Sequence, residues 1–174
     1  MTTVAIIGAG PLGRSFALRA AHAGFRVFLE DVMPANLRHA RESMRLELSP
    51  EALPSVGFSS TIEDAVRDAD LVIDCVPDEL ESKLEILWLV DRMAPPRAVI
   101  ATPTVNLSIA DLASCTNRPE QCVAIIASAE ALTAGTDPSV LLRAAPRTSE
   151  TSMALVSDFF RRLGFYPNVE RVPA

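Results

Sequence analysis

Val4-Ala5-Ile6-Ile7-Gly8-Ala9-Gly10-Pro11-Leu12-Gly13-Arg14-Ser15-Phe16 is the stretch that decides the fold. A short apolar run is stopped by glycines and followed at once by a helical pattern. That is strand, tight turn and helix, with G-x-G-x-x-G at the joint. In this spacing Gly8 permits the tight turn, Gly10 lets a pyrophosphate approach the backbone, and Gly13 lets helix and strand pack closely. The helix start offers free N–H groups and a partial positive charge to phosphates. Pro11 suits the first helical position, where its missing N–H would go unpaired anyway.

Working outward, Phe16, Ala17, Ala20 and Ala21 share a helix face that ends at Gly24, a left-handed cap. Phe25 to Leu29 then reads as a second strand, ending in Glu30-Asp31. An acid about 20 residues past the glycines is where NAD proteins hold the ribose 2′-hydroxyl. A glycine-rich turn that binds nothing is the bland alternative; strand, helix and acid together favour a dinucleotide. The expected contacts are Gly8, Gly10, Pro11, Leu12, Gly13, Glu30 and Asp31. Two acids with no arginine before Arg38 would repel a 2′-phosphate, so NAD is expected over NADP.

With 174 residues the chain suffices for one domain, residues 1–174, with a substantial core. Its 49% hydrophobic and 22% charged residues are ordinary for a globular protein. A net charge of −6 argues against a nucleic-acid partner, whose phosphates it would repel. Cys75, Cys115 and Cys122 form no disulfide framework and point to a reducing cytoplasm. The only histidines, His22 and His39, lack metal-ligand spacing, so no metal is expected. No signal peptide precedes the first strand, and no apolar run is long enough for a membrane span.

Further along, Pro34 to Leu48 has the spacing of a solvated helix carrying His39, and Pro50 and Pro54 open a loop. Val56 to Ser59 reads as a short strand, and Ser60-Thr61-Ile62-Glu63 has capping-box spacing for a helix through Arg67. Leu71 to Val76 is a central strand closed by Pro77, and a helix from Asp78 runs to Met93 and stops at Pro95-Pro96. Ala98 to Ala101 is the next strand, and Ser108 opens a short helix. Cys122 to Ala127 and Val140 to Arg143 are further strands. A helix from Ser149 to Leu163 ends at Gly164, and Phe165 to Val169 is a final strand. Alternating strands and helices without repeats predict an α/β, doubly wound, mainly parallel sheet in three αβα layers. Ligands of such Rossmann-like sheets sit at the carboxyl ends of the strands, where Gly8–Gly13, Asp31, Pro77–Lys83 and Thr102–Asn106 converge.

On these residues the chain resembles the NAD-binding domain of the 3-hydroxyacyl-CoA dehydrogenase family. Ala69-Asp70-Leu71-Val72-Ile73-Asp74-Cys75-Val76-Pro77-Asp78-Glu79-Leu80-Glu81-Ser82-Lys83 is close to that family's "ADLVIEAVPENLELK". Ala94-Pro95-Pro96-Arg97-Ala98-Val99-Ile100-Ala101-Thr102, Leu107-Ser108-Ile109 and Arg118-Pro119-Glu120 extend the likeness over nearly the whole chain. The resemblance implies an NAD-dependent oxidoreductase of fatty acid metabolism, with an acyl-CoA-type substrate. It places Asp78 and Lys83 near the nicotinamide ribose and adds Val76, Pro77 and Thr104 to the expected cofactor contacts.

The departures fall on the family's catalytic residues. Its "NTSSLSI" stands here as Pro103-Thr104-Val105-Asn106-Leu107-Ser108-Ile109, so Val105 replaces the serine that touches substrate and cofactor. The histidine of "HFFNP", the general base, aligns with Ile126, and the asparagine with Ala129. The glutamate that orients the histidine falls near Pro138, beside Asp137. The chain ends at Ala174, about where the family's helical C-terminal domain would begin. Removing a proton from a hydroxyl needs a base within hydrogen-bond reach. His22 and His39 lie on helices away from the strand tips, and Glu130 and Asp137 read as solvated loop carboxylates, poor bases at neutral pH. No catalytic residue is therefore assigned, and a non-catalytic NAD-binding module, a sensor or scaffold, stands as the alternative.

The helix after Pro77 is apolar over most of its circumference. At about 100° per residue, Leu80, Leu84 and Leu87 form one stripe and Ile86, Val90 and Met93 another, interrupted by Lys83 and Asp91. Trp88 and Leu89 lie outside both. One stripe suffices to lie on a sheet, so either a loop covers the rest of residues 78–93 or, in the sharper reading, they meet a partner, most simply a second copy of the chain.

Overall fold

The computed structural model describes residues 1–174. Eight strands form one sheet: β1 (Thr3–Ile7), β2 (Arg26–Glu30), β3 (Val56–Ser59), β4 (Leu71–Asp74), β5 (Val99–Pro103), β6 (Cys122–Ile126), β7 (Ser139–Ala144) and β8 (Tyr166–Arg171). Their spatial order is β3-β2-β1-β4-β5-β6-β7-β8. The first six are parallel, β7 runs antiparallel to β6, and β8 is parallel to β7. The order reverses between β1 and β4, the switch point where such sheets open a crevice for ligands. This is the expected Rossmann-like architecture.

Parallel strands covered on both faces must be apolar at every position, and β1 is buried over its whole length. Side chains alternate between the faces. Val4, Ile6, Leu71 and Ile73 pack with α1 (Pro11–His22), α2 (Pro34–Glu47) and α7 (Glu150–Arg162). Ala5, Ile7 and Val72 pack with α3 (Ile62–Val66), α4 (Leu80–Met93) and α5 (Ile109–Ser114). An edge-to-face aromatic cluster binds α1 to α7: Phe16 and Phe160 have ring centroids 5.9 Å apart, Phe159 and Phe160 5.4 Å. Fully burying one such ring stabilises the fold by about 2–3 kcal/mol.

Several boundaries differ from the sequence reading for local physical reasons. The capping box is shifted by one residue, since the Thr61 hydroxyl, not Ser60, accepts the Asp64 N–H at 3.3 Å. β4 ends at Asp74 because Cys75 begins the loop into the next helix, and α4 starts at Leu80, with Glu79 as its cap. A short helix that the sequence reading missed, α6 (Ala129–Ala134), is capped by Ser128, whose Oγ accepts the Ala131 N–H at 3.1 Å. It closes at Gly135, in the left-handed region.

Candidate functional site

The glycine turn has the geometry its spacing predicts. Gly8 takes φ +102°, a left-handed conformation other residues rarely adopt. A Cβ on Gly13 would lie 1.7 Å from the Gly8 carbonyl oxygen, so only glycine allows helix and strand this close. A Cβ on Gly10 would meet nothing within 4 Å, which leaves room above the backbone for a ligand. No side chain caps α1, so the N–H groups of its first turn face outward without an intrahelical acceptor.

The end of β2 is fastened to this turn. Gly8 N–H donates to the Glu30 carbonyl (2.8 Å) and Ala9 N–H to Asp31 Oδ2 (2.9 Å). Asn36 Nδ2 also donates to Asp31 Oδ2 at 3.0 Å, and Met33 N–H to Oδ1 at 2.8 Å. Asp31 is thus held beside the glycine loop, where a ribose-binding acid belongs. Arg14 adds a cation that the sequence reading missed: its Nη1 donates to the Ala9 carbonyl at 2.9 Å. Its place in the first turn of α1, directly after Gly13, was the available signal.

A cleft of about 810 Å³ opens at the carboxyl ends of β1, β4, β5 and β6. Gly10, Pro11 and Leu12 form one wall, Cys75 to Asp78 another, and Val105, Asn106 and the α6 segment from Ala127 to Ala134 close the third side. Of the expected cofactor residues, Gly10, Pro11, Leu12, Val76, Pro77 and Asp78 line it. Asp78 is engaged already, its Oδ2 accepting the Val105 N–H at 2.9 Å.

Three expected contacts are placed elsewhere. Lys83, expected beside the nicotinamide ribose, is 1% exposed because it points inward from α4 to the Asp74 carboxylate, with Nζ 3.3 Å from Oδ2. Thr104 is buried because its hydroxyl closes its own turn, accepting the N–H groups of Asn106 and Leu107. Glu30 alternates onto the sheet face shared with Phe28 and Asp74 rather than toward the cleft, and is 3% exposed. Burial, then the neighbouring Asp31 charge, pushes its carboxyl up to about 7. Its Oε1 has no partner.

The acid–base inventory of the cleft is small. Cys75 is its thiol, and burial followed by the Asp74 charge pushes it far up, away from the reactive thiolate. Val105, half-exposed Ile126 and Ala129 carry no titratable group at the three positions the resemblance made critical. Glu130 lies on the rim, while Asp137 lies outside and accepts the Ser139 N–H. His22 and His39 are exposed and line no part of the cleft. No group of three His, Cys, Asp or Glu side chains comes together as a metal site, and no helix is long and apolar enough to cross a membrane.

Residues 3–169 match the family model described as "3-hydroxyacyl-CoA dehydrogenase, NAD binding domain". The chain belongs to this family. It is 31% identical over 176 residues to 5-formyl-3-hydroxy-2-methylpyridine 4-carboxylate 5-dehydrogenase of Mesorhizobium japonicum, covering 95% of this chain and 56% of that protein. A 3-hydroxybutyryl-CoA dehydrogenase of Bradyrhizobium diazoefficiens is 31% identical over 135 residues, covering 70% of this chain and 46% of that protein. The crystal structure of the 3-hydroxyacyl-CoA dehydrogenase of Archaeoglobus fulgidus superposes with a TM-score of 0.82 at 28% identity, over 100% of this chain and 58% of that one. The domain thus spans about half the length of these relatives. Its cofactor is NAD, and the glycine cradle with Asp31 beside it fits that group.

Proposed function

We propose that this domain holds NAD along the carboxyl edge of its sheet and does not, by residues 1–174 alone, oxidise a hydroxyl. In this reading the Gly8–Gly13 turn and the α1 N-terminus bind the pyrophosphate, Asp31 the adenosine ribose, and Val76 to Asp78 flank the nicotinamide half. When bound, NAD supplies the hydride acceptor. The protein must supply a base for the hydroxyl proton, and the cleft has no imidazole. That observation carries the reading. Its carboxylates are Asp78, committed to the Val105 N–H, and Glu130, exposed on the rim.

The relatives act on a pyridine carboxylate and on a hydroxyacyl-CoA by their names, and we assign an acyl-CoA-type substrate of fatty acid metabolism to a full site. Such a site would draw its base from another segment or chain. The second reading, a sensor or scaffold that binds NAD without chemistry, is favoured by Val105 and Ile126 standing where the family has its serine and histidine. NADH fluorescence titration followed by a 3-hydroxybutyryl-CoA assay separates them. Purified residues 1–174 should bind NADH without turnover. A rate that survives Glu130→Ala and Asp137→Ala would show that the base has been misplaced. Asp31→Ala should weaken NADH about tenfold, roughly 1.4 kcal/mol, while His39→Ala leaves it unchanged. NADPH should bind more weakly than NADH, and equal affinities would overturn the assignment of Asp31 as the ribose-binding acid.

Two further assignments complete the proposal. The free cysteines fit a reducing compartment, the cytoplasm. Leu80, Trp88 and Met93 are exposed on α4, and Trp88 carries Arg92 over its ring at 4.7 Å. We assign the exposed side of α4 around Trp88 to a homodimer contact. Trp88→Glu should convert a dimer to a monomer in light scattering with NADH binding intact; a monomeric wild-type chain at high concentration overturns the assignment.

A further inference from the structure

Lys83 and Asp74 are the most deeply buried ion pair in the molecule, with side chains 1% and 0% exposed. Lys83 Nζ lies 3.3 Å from Asp74 Oδ2 and 3.4 Å from the Asp74 carbonyl oxygen. The same carboxylate accepts the Thr102 hydroxyl at 2.9 Å and the Val76 N–H at 3.1 Å. Asp74 is the last residue of β4, and Lys83 lies in the first turn of α4. The pair therefore joins the two ends of the loop from Cys75 to Glu79, whose first four residues form one cleft wall. From the other side Gly8 rests on this loop, since a Cβ there would sit 3.1 Å from the Cys75 carbonyl oxygen.

We propose that Lys83 is a positioning residue: paired with Asp74, it clips the Cys75–Glu79 loop and sets the cleft wall against the nicotinamide half of NAD without touching the cofactor. This inference rests on the NAD reading above. The wall lies across the switch point from Asp31, so the clip governs only one half of the dinucleotide. ADP, which lacks the nicotinamide half, is the probe that separates the two halves.

The test is titration of NADH and of ADP with wild type, Lys83→Met, Asp74→Asn, the double variant Asp74→Asn/Lys83→Met, and Thr102→Val, each with a thermal melt. Lys83→Met should weaken NADH about tenfold, an effect of the size expected for coupled neighbours, and leave ADP within about twofold, as for an independent site. The double variant should recover most of the NADH affinity, because a buried pair replaced as a whole leaves no unmatched charge. A double variant as weak as Lys83→Met would make Lys83 a direct cofactor contact and overturn the proposal. Equal weakening of NADH and ADP would overturn it too, since a general loss of structure acts on both halves. If Lys83→Met does not fold, Thr102→Val carries the test. It removes only the hydroxyl on Asp74 and should weaken NADH about threefold with ADP unchanged, and unaltered NADH affinity would refute the clip. A wild-type chain that binds neither ADP nor NADH removes the NAD reading itself, a result distinct from all of these.

Discussion

Helix α4 is tied down at both ends by a buried ion pair, and the two pairs do different work. At its start Lys83 meets Asp74 on the last residue of a strand, at the carboxyl edge where the cleft opens. At its end Asp91 meets Arg118 (Nε to Oδ1 2.9 Å), at the opposite edge of the sheet. Arg118 also donates to the carbonyls of Asp91, Ala94, Pro95 and Ala98, so one guanidinium satisfies the orphan acceptors of the helix end and of the turn into β5. That is a structural clamp, with no ligand-facing group near it. The same device, an acid paired with a base and largely withdrawn from water, positions a binding wall at one end and closes a helix at the other. Location relative to the strand tips decides which.

The largest effect that breaks the comparison is at the first pair. Lys83→Met leaves the Asp74 carboxyl buried without its partner, which should cost about 3–4 kcal/mol and lower the midpoint of a thermal melt by roughly 10 °C for a chain of this size. NADH affinity should fall with it. A melt within a degree or two of wild type would mean that the interior re-solvates Asp74, and the clip would lose its basis.

Arg118→Ala should follow with about 2–3 kcal/mol, from an unpaired Asp91 and several orphaned carbonyls, and with NADH and ADP affinities both unchanged. Affinity loss here would dissolve the distinction between the two ends. The pairs also separate in acid. Burial alone would raise the Asp91 carboxyl, but the Asn117 N–H groups and the Arg118 guanidinium hold it below its ordinary value. Stability from that pair is therefore full above the ordinary Asp range and is lost as pH falls through the lower, folded value. Burial instead raises Asp74, against the pull of Lys83, so acid takes no stability through that group. The stability gap between wild type and Arg118→Ala should hold from neutral pH to about pH 5 and shrink below about pH 4.

What could be read from the chain beforehand follows the same division. The glycine turn, Gly24, Asp31 and the strand succession were legible because each is decided by its own few residues: φ > 0, a missing Cβ, an unbroken apolar run. The resemblance drew Lys83 toward the ribose, but an amphipathic pattern cannot say whether a lysine turns inward. Its place at i, i+4 and i+7 with buried Leu87 and Val90 is visible only with Asp74 opposite. The inward turn of Thr104 was hidden for a like reason, since its hydroxyl serves two of the residues that follow it. Helix α6 escaped because its six residues carry too little periodicity, although Ser128 and Gly135 bracket it as cap and stop. The unmatched apolar circumference of α4 was legible, and Trp88 is indeed exposed at 54%.

The smallest effect sharpens the contrast by asking what a buried acid does with no base at all. Glu30 stands level with Asp74 in the sheet, the two flanking Ile7 on neighbouring strands. It lacks a Lys83 of its own: Oε1 is unpartnered and the carboxyl is raised from 4.5 to about 7. A group whose folded value is raised contributes stability that is full below its unfolded value and lost as pH rises through the folded one. The fold should therefore weaken between about pH 4.5 and pH 7 through Glu30 and change little through it above that window. Glu30→Gln keeps the shape, removes the titration and should abolish this slope. Chemical denaturation at pH 4, 6 and 8 should give equal stabilities for wild type and variant at the first. The variant should lead by on the order of 1–2 kcal/mol at the last. A lead already present at pH 4 would mean that the amide gains a contact the carboxyl lacks. Parallel curves throughout would mean that Glu30 finds a partner in solution, leaving Asp74 and Asp91 no unpaired acid to be compared with.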